Sequence, residues 1–206
     1  MSYTYRYEPS GILNPVLFLF HGTGGDENQL MGLGKQVGPE FPIISPRGKH
    51  REGEALRFFR RFEEGHLDVD DLKSRATEIA AWIPEALSAS GLEGRKTIAL
   101  GYSNGASISG GIALGHPSTF DALILLRPMI PYRPDSNPDL TGKRVLILAS
   151  QTDTICPFDG AVELGKILEE AGAEVQFESV PGAHGLTEVD AQKIQSFLAH
   201  FRTIIA

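Results

Sequence analysis

Thr97-Ile98-Ala99-Leu100-Gly101-Tyr102-Ser103-Asn104-Gly105 joins an apolar run to a stretch of small residues. Residues 97–101 read as a buried strand. Residues 104–114, mostly Gly, Ala, Ser and Ile, read as a helix whose small side chains let it lie close on a sheet. The pattern Gly-x-Ser-x-Gly stands at the junction, and a sharp strand-to-helix turn of this kind lifts a serine hydroxyl above the sheet end. Glycine is needed on both sides because side chains there would collide with the adjoining strand and helix. A chain with 23 glycines can also produce this pentapeptide by accident, so a glycine-rich helix N-terminus capped by Ser103 is the competing reading.

The same alternation runs along the rest of the chain. Apolar runs at 16–20, 41–45, 122–126, 144–149 and 174–180 read as strands, and stretches at about 69–90, 159–171 and 187–203 as helices. Leu72, Ile79, Trp82, Ile83 and Leu87 mark the buried stripe of the first helix, and Pro84 is expected to kink or break it. Gly172 ends the second helix. Near-continuous apolar strands separated by helices imply an α/β fold with a mainly parallel sheet covered on both faces. With 206 residues and no linker, repeat or low-complexity segment, 1–206 is expected to form a single domain.

Composition narrows the class of partner. A net charge of −7 argues against an electropositive surface for nucleic acid. No apolar run approaches the length that spans a bilayer, and the start Met1-Ser2-Tyr3-Thr4-Tyr5-Arg6-Tyr7-Glu8 has no signal-peptide core. The single Cys156 cannot form an internal disulfide. A cytoplasmic location is therefore expected, with Cys156 as a packing residue rather than a reactive thiol.

A serine hydroxyl is a weak nucleophile at neutral pH and needs a base that is itself oriented by a third group. Asp153, directly after 144–149, and His184, between 174–180 and the last helix, both stand just past an expected strand end. Functional groups of parallel sheets gather at such ends. Gly182 and Gly185 put His184 on a loop tight enough to aim its ring back across the sheet. A loop or capping aspartate and an exposed loop histidine are the bland alternatives. Asp159 competes with Asp153 but better suits an N-cap for the helix that follows; His50, His66, His116 and His200 place less well. The first strand runs into His21-Gly22-Thr23-Gly24-Gly25, a turn whose backbone N–H groups can face a developing negative charge. A phosphate-binding loop would need Gly-Lys-Ser/Thr or Gly-x-Gly-x-x-Gly, which is missing here. His21 has no second histidine at ligand spacing, so it is expected to brace the loop rather than bind a metal.

These pieces, with 153–157 and Gly182-Ala183-His184-Gly185-Leu186, span nearly the whole chain. In that order they resemble the carboxylesterase/phospholipase branch of the α/β-hydrolases, which also contains acyl-protein thioesterases. Arg57-Phe58-Phe59-Arg60 adds a likeness to small bacterial serine carboxylesterases. The resemblance implies the α/β-hydrolase fold and a Ser103–His184–Asp153 triad in the chain order Ser, Asp, His. It also implies the backbone N–H groups of Thr23 and Asn104 as oxyanion donors, with Asn104 acting through its main chain more than its side chain. The implied activity is hydrolysis of small to medium carboxylic esters through an acyl-enzyme. No cofactor or metal is implied, and relatives are often homodimers. A thioesterase or lysophospholipase acting on longer acyl chains is the alternative, and a non-catalytic ligand receptor on the same fold a further one.

Only 127–143 separates the strand after the serine helix from the next, too short for a cap domain, so an open and shallow site is expected. The longest irregular stretch, 46–66, holds Phe58 and Phe59. They tuck into the core or wall the substrate pocket, and one of them is the candidate to line it. Arg127, at a strand end, could face the site and favour anionic substrates, or pair with an acid such as Asp135. A dienelactone-hydrolase reading would require Cys at the position of Ser103.

Overall fold

In the computed structural model, which describes residues 2–10 and 14–202, each of the six apolar runs read as a strand joins one seven-stranded sheet. The elements follow in chain order. Tyr5–Glu8 (β1), Val16–Phe20 (β2), Met31–Val37 (α1) and Ile43–Pro46 (β3) come first. The stretch expected to be irregular then holds four short strands: His50–Glu52 (β4), Ala55–Arg57 (β5), Arg61–Glu63 (β6) and His66–Leu67 (β7). Val69–Ala89 (α2), Thr97–Tyr102 (β8), Asn104–Gly115 (α3), Ala122–Leu126 (β9) and Arg144–Ala149 (β10) follow. Phe158–Glu170 (α4), Glu174–Ser179 (β11) and Glu188–Leu198 (α5) close the described chain with a 3₁₀ turn at Ala199–Phe201. Residue 203, the expected end of the last helix, lies outside the described residues.

The sheet order is β1-β3-β2-β8-β9-β10-β11, parallel except for the β1–β3 pair. Period-two alternation divides its core. Val16, Phe18 and Phe20 of β2 face a layer with α2 and α3, whereas Leu17 and Leu19 face α1 and α5 on the other side. On β9, Leu123 and Leu125 pack with α3 and α4, and Ile124 and Leu126 join the α1–α5 side. Each such fully buried side chain contributes about 1.5–3 kcal/mol relative to exposure.

Helix α2 runs through Pro84 without the break that is one of the two expectations there. Trp82, Ile83, Ala86 and Leu87 flank the proline and are all buried, so packing on the sheet compensates for the hydrogen bond it cannot make. Asp68 starts this helix by accepting from the Asp71 N–H. The elements not anticipated share a weak signal: β1 is partly exposed, and α1 has seven residues, two of them glycine. No helix or strand lies between Leu126 and Arg144, so no cap domain is built there among the described residues. No helix among them is long and apolar enough to cross a membrane.

The turn from β8 to α3 explains its glycines. A Cβ on Gly105 would stand 1.9 Å from the Phe20 carbonyl oxygen at the end of β2, and one on Gly101 would stand 2.3 Å from the Gly105 carbonyl oxygen. Helix α3 therefore starts in backbone contact with the strand that leads into the glycine-rich loop. Gly105→Ala is expected to cost more than about 3 kcal/mol, because both colliding groups are backbone and cannot rotate away. An unchanged urea midpoint for that variant would contradict the packing described.

Candidate active site

Three loops at the carboxyl ends of parallel strands meet above the sheet. Ser103, between β8 and α3, has φ 54° and ψ −114°, a left-handed geometry rare for a residue with a side chain. Its N–H donates to the Leu126 carbonyl, which ties the turn to β9. His184 follows β11, and its Nε2 lies 3.1 Å from Ser103 Oγ. Its Nδ1 lies 2.8 Å from Asp153 Oδ2, in the loop after β10. The other carboxylate oxygen of Asp153 accepts from the N–H groups of Ile155 and Cys156 at 2.8 and 2.9 Å. With its side chain fully buried, Asp153 is held as an acceptor on both oxygens. Asp159, the competitor, is exposed in the first turn of α4; the cap position is Pro157, so the expected N-cap role is not what the structure has.

Arg127 does not face this site, and its pairing with Asp135 is also not found. Its guanidinium is fully buried and bidentate with Asp190, at 2.7 and 3.1 Å. It also donates to the carbonyls of Ala183, Gly185 and Pro181, at 2.9, 2.9 and 3.2 Å, and to that of Leu148 at 3.3 Å. These carbonyls belong mostly to the loop that carries His184. Asp190 in turn accepts from the Thr187 N–H and hydroxyl at the start of α5. Arg127 is thus a clamp on the histidine loop, and an arginine is suited to it because its five donors can reach several carbonyls at once. The sequence carried no sign of this, since Arg127 and Asp190 lie far apart in the chain. Tyr102 adds a further tie: its hydroxyl donates to the His184 carbonyl at 3.0 Å, and burial raises its pKa. The described residues with positive φ that are not glycine are Ser103, Arg127 and Ala183, all in this region.

The loop after β2 is braced from beneath by His21. Its Nδ1–H donates to the Gly22 carbonyl at 2.7 Å, and its Nε2 accepts from the Gly48 N–H at 2.9 Å. Only the neutral ring satisfies both bonds, and burial lowers its pKa in the same direction. Thr23 and Asn104, the expected oxyanion residues, both line the cavity in front of Ser103. Asn104 opens α3, where backbone N–H groups have no intrahelical acceptor. Its side chain does more than expected: Oδ1 accepts from the Phe58 N–H at 2.8 Å, joining α3 to the segment that carries Arg57 and Phe59.

Phe58 and Phe59 part ways. Phe58 does not line the cavity; it is buried against Phe20 and His21, with ring centroids 5.3 and 4.6 Å away. Phe59, also buried, does line it. The cavity holds about 340 Å³, within the range of small-ligand sites but near its lower end. Arg57, Arg61, Glu64 and Leu67 from the short hairpins form one wall, so the site is less open than the missing cap implied. Arg57 was not singled out in the sequence as a pocket residue. It is buried, its Nη1 donates to Thr23 Oγ1 at 2.7 Å, and its Nε donates to the Phe59 carbonyl at 3.1 Å. Burial first, then the nearby Arg61, pushes its pKa down to about 10.

Cys156 also lines the cavity, buried beside Asp153 and His184, and the ligand atoms of these three lie within 4.8 Å of one another. Burial, with Asp153 next, pushes the Cys156 thiol up to about 12. Asp153 and His184 are meanwhile hydrogen-bonded to each other, so the set suits a proton relay better than a divalent ion.

Comparison with known proteins gives the fold a context. No family model matches the chain. "Putative hydrolase MhqD" of Bacillus subtilis (strain 168) is 34% identical over 187 residues, which are 91% of this chain and 94% of that protein. The crystal structure of the Bacillus cereus carboxylesterase superposes with a TM-score of 0.93 at 32% identity, covering 97% of this chain and 95% of that one. The structure of YahD with malic acid superposes with a TM-score of 0.90 at 25% identity, covering 98% and 100%.

Two outcomes follow from the clamp and the buried thiol. Asp190→Asn leaves Arg127 charged and unpaired in the interior and is expected to cost about 3–5 kcal/mol, read from urea unfolding. A loss below about 1 kcal/mol would contradict the paired state. Cys156 should resist iodoacetamide in the native protein at pH 8 and react on unfolding, because its thiolate is scarce below about pH 12; rapid native alkylation by intact mass would count against this.

Proposed function

The chain belongs to the bacterial carboxylesterases and hydrolases of the α/β-hydrolase fold and is an esterase-type hydrolase, and from that premise we propose that Ser103, His184 and Asp153 are its catalytic triad, acting on small carboxylic esters. The observation that carries this is the continuous hydrogen-bonded chain from Ser103 Oγ through both ring nitrogens of His184 to Asp153. Its parts are supplied by three separate loops of one sheet, on the reading that 1–206 is one domain. His184 takes the Ser103 proton as the oxygen attacks the ester carbonyl, and Asp153 fixes the ring tautomer and stabilises the imidazolium. The backbone N–H groups of Thr23 and Asn104 receive the oxyanion. The protonated His184 gives its proton to the departing alcohol, leaving an acyl group on Ser103. Water, deprotonated by His184, then releases the acid and restores the serine.

Substrate size is read from the cavity. A volume of about 340 Å³, lined by Phe59, Leu67, Met129 and Ile155 beside Arg57, Arg61 and Glu64, suits a compact ester better than a long acyl chain. This favours carboxylesterase over lysophospholipase or long-chain thioesterase action.

Wild type should form a covalent adduct with a fluorophosphonate and hydrolyse short-chain esters faster than palmitoyl thioesters or lysophospholipids. Ser103→Ala should form no adduct and lose about 10⁶-fold in kcat, and Asp153→Asn about 10⁴-fold. Equal labelling of Ser103→Ala by intact mass, or turnover of long-chain substrates alone, would overturn the respective parts of the reading.

A further inference from the structure

Arg57 and Arg127 are both buried, but their charges are met very differently. Arg127 has a carboxylate to itself in bidentate contact. Arg57, whose side chain is only 4% exposed, has Glu52 at 3.5 Å, and that carboxylate already binds Arg61 through contacts of 2.8, 3.0 and 3.1 Å. Glu52 is itself 41% exposed, so solvent weakens what remains for Arg57. Arg57 uses Nε on the Phe59 carbonyl and Nη1 on Thr23 Oγ1, and its guanidinium carbon stands 5.7 Å from the Phe59 ring centroid; Nη2 makes no hydrogen bond among the described residues and is not one of their buried unpartnered atoms, so it is the end of the fork that solvent reaches. A mostly buried cation without a close, dedicated anion has its charge only partly compensated, and its free donor is open to an anion from solvent. The residue lies on the wall of the cavity that holds Ser103 and His184. Glu64, the other acid on that wall, is exposed to solvent.

We propose that Arg57 is an anion-binding residue of the substrate pocket and that the preferred substrates are esters carrying a second, free carboxylate. The proposal rests on the reading of Ser103 as the nucleophile. It accounts for the wall as a brace alone would not: a brace for Thr23 and Phe59 needs two donors, whereas a guanidinium fork offers more, and its planar shape matches a carboxylate. Arg57 donates to Thr23, one of the proposed oxyanion residues, and lines the same cavity as Ser103, so an anion seated on it shares that cavity with the carbonyl under attack. Monoesters of small dicarboxylic acids fit both the charge and the volume, and their hydrolysis releases a dicarboxylate and an alcohol. The role first considered for Arg127 thus falls to a different arginine.

The test compares monoethyl succinate with ethyl valerate, similar in length and different in charge, by pH-stat on wild type and Arg57→Met. Wild type should favour monoethyl succinate in kcat/KM by roughly tenfold to a hundredfold, the usual worth of a hydrogen bond to a charged group. Succinate should inhibit competitively. In Arg57→Met the ratio should fall to about one and succinate inhibition should weaken in parallel. Equal or better use of ethyl valerate by wild type, or a preference retained in Arg57→Met, overturns the assignment. Should Arg57→Met fail to fold, Arg57→Gln takes its place with the same two outcomes. A protein that labels with fluorophosphonate and hydrolyses ethyl valerate but ignores the carboxylate undoes only the role of Arg57. A protein that neither labels nor turns over either ester undoes the nucleophile reading beneath it.

Discussion

The backbone contact between Gly105 and the end of β2 is the constraint on which the site depends. Only a residue without a Cβ lets α3 begin against the Phe20 carbonyl. That approach puts Ser103 beside the loop of His21 to Gly25 and sets the N-terminus of α3 next to the loop's backbone. Ser103 pays for the sharp turn with a left-handed φ, a strain of about 1–3 kcal/mol that the surrounding sheet must hold. The Ser103 N–H bond to Leu126 is one such hold, and the buried strands on either side of β8 are the rest.

Strain of the same sign recurs just past the end of β9 and in the loop that carries His184. Arg127 and Ala183 both have positive φ, and the Arg127 guanidinium joins them by donating to the Ala183 carbonyl. A buried ion pair is a poor source of net stability, because removing two charges from water is costly. Its value here is geometric. The Arg127–Asp190 pair satisfies carbonyls on both sides of His184 and anchors the start of α5, so the ring is carried on a loop without regular structure yet held at hydrogen-bond distance from two partners.

The short hairpins between β3 and α2 contribute the chemistry that the sheet cannot. Phe58 docks in the core and donates its N–H to Asn104 Oδ1, which registers the whole segment against the nucleophile turn. Phe59 and Arg57 then reach the cavity wall on opposite chemical terms, one apolar and one cationic. The elbow, the proposed oxyanion loop and this wall are linked through Thr23 and Asn104, so pocket shape and reactive geometry are mechanically coupled.

Much of this was legible in the sequence because it obeys local rules. Six apolar runs of strand length, glycines at a steep turn, and Asp153 and His184 just past strand ends are patterns that follow from period, sterics and the habits of parallel sheets. The chain by itself therefore determined the α/β architecture and which residues could form a Ser–His–Asp chain. What it could not reveal depends on contacts between residues distant in sequence. Pro84 is tolerated because neighbouring side chains of α2 are buried on the sheet, a benefit invisible to local propensity. Phe58 and Phe59 are adjacent and chemically identical, and only the direction each takes from the hairpin separates core from pocket. The sequence left Arg127 either facing the site or paired with an acid such as Asp135, and offered Arg57 only as part of the Arg57-Phe58-Phe59-Arg60 stretch. Folding buried both, gave one a carboxylate of its own from α5 and left the other with a shared one, because whether a charge finds a partner is decided by the packing of separate elements and not by its neighbours in the chain.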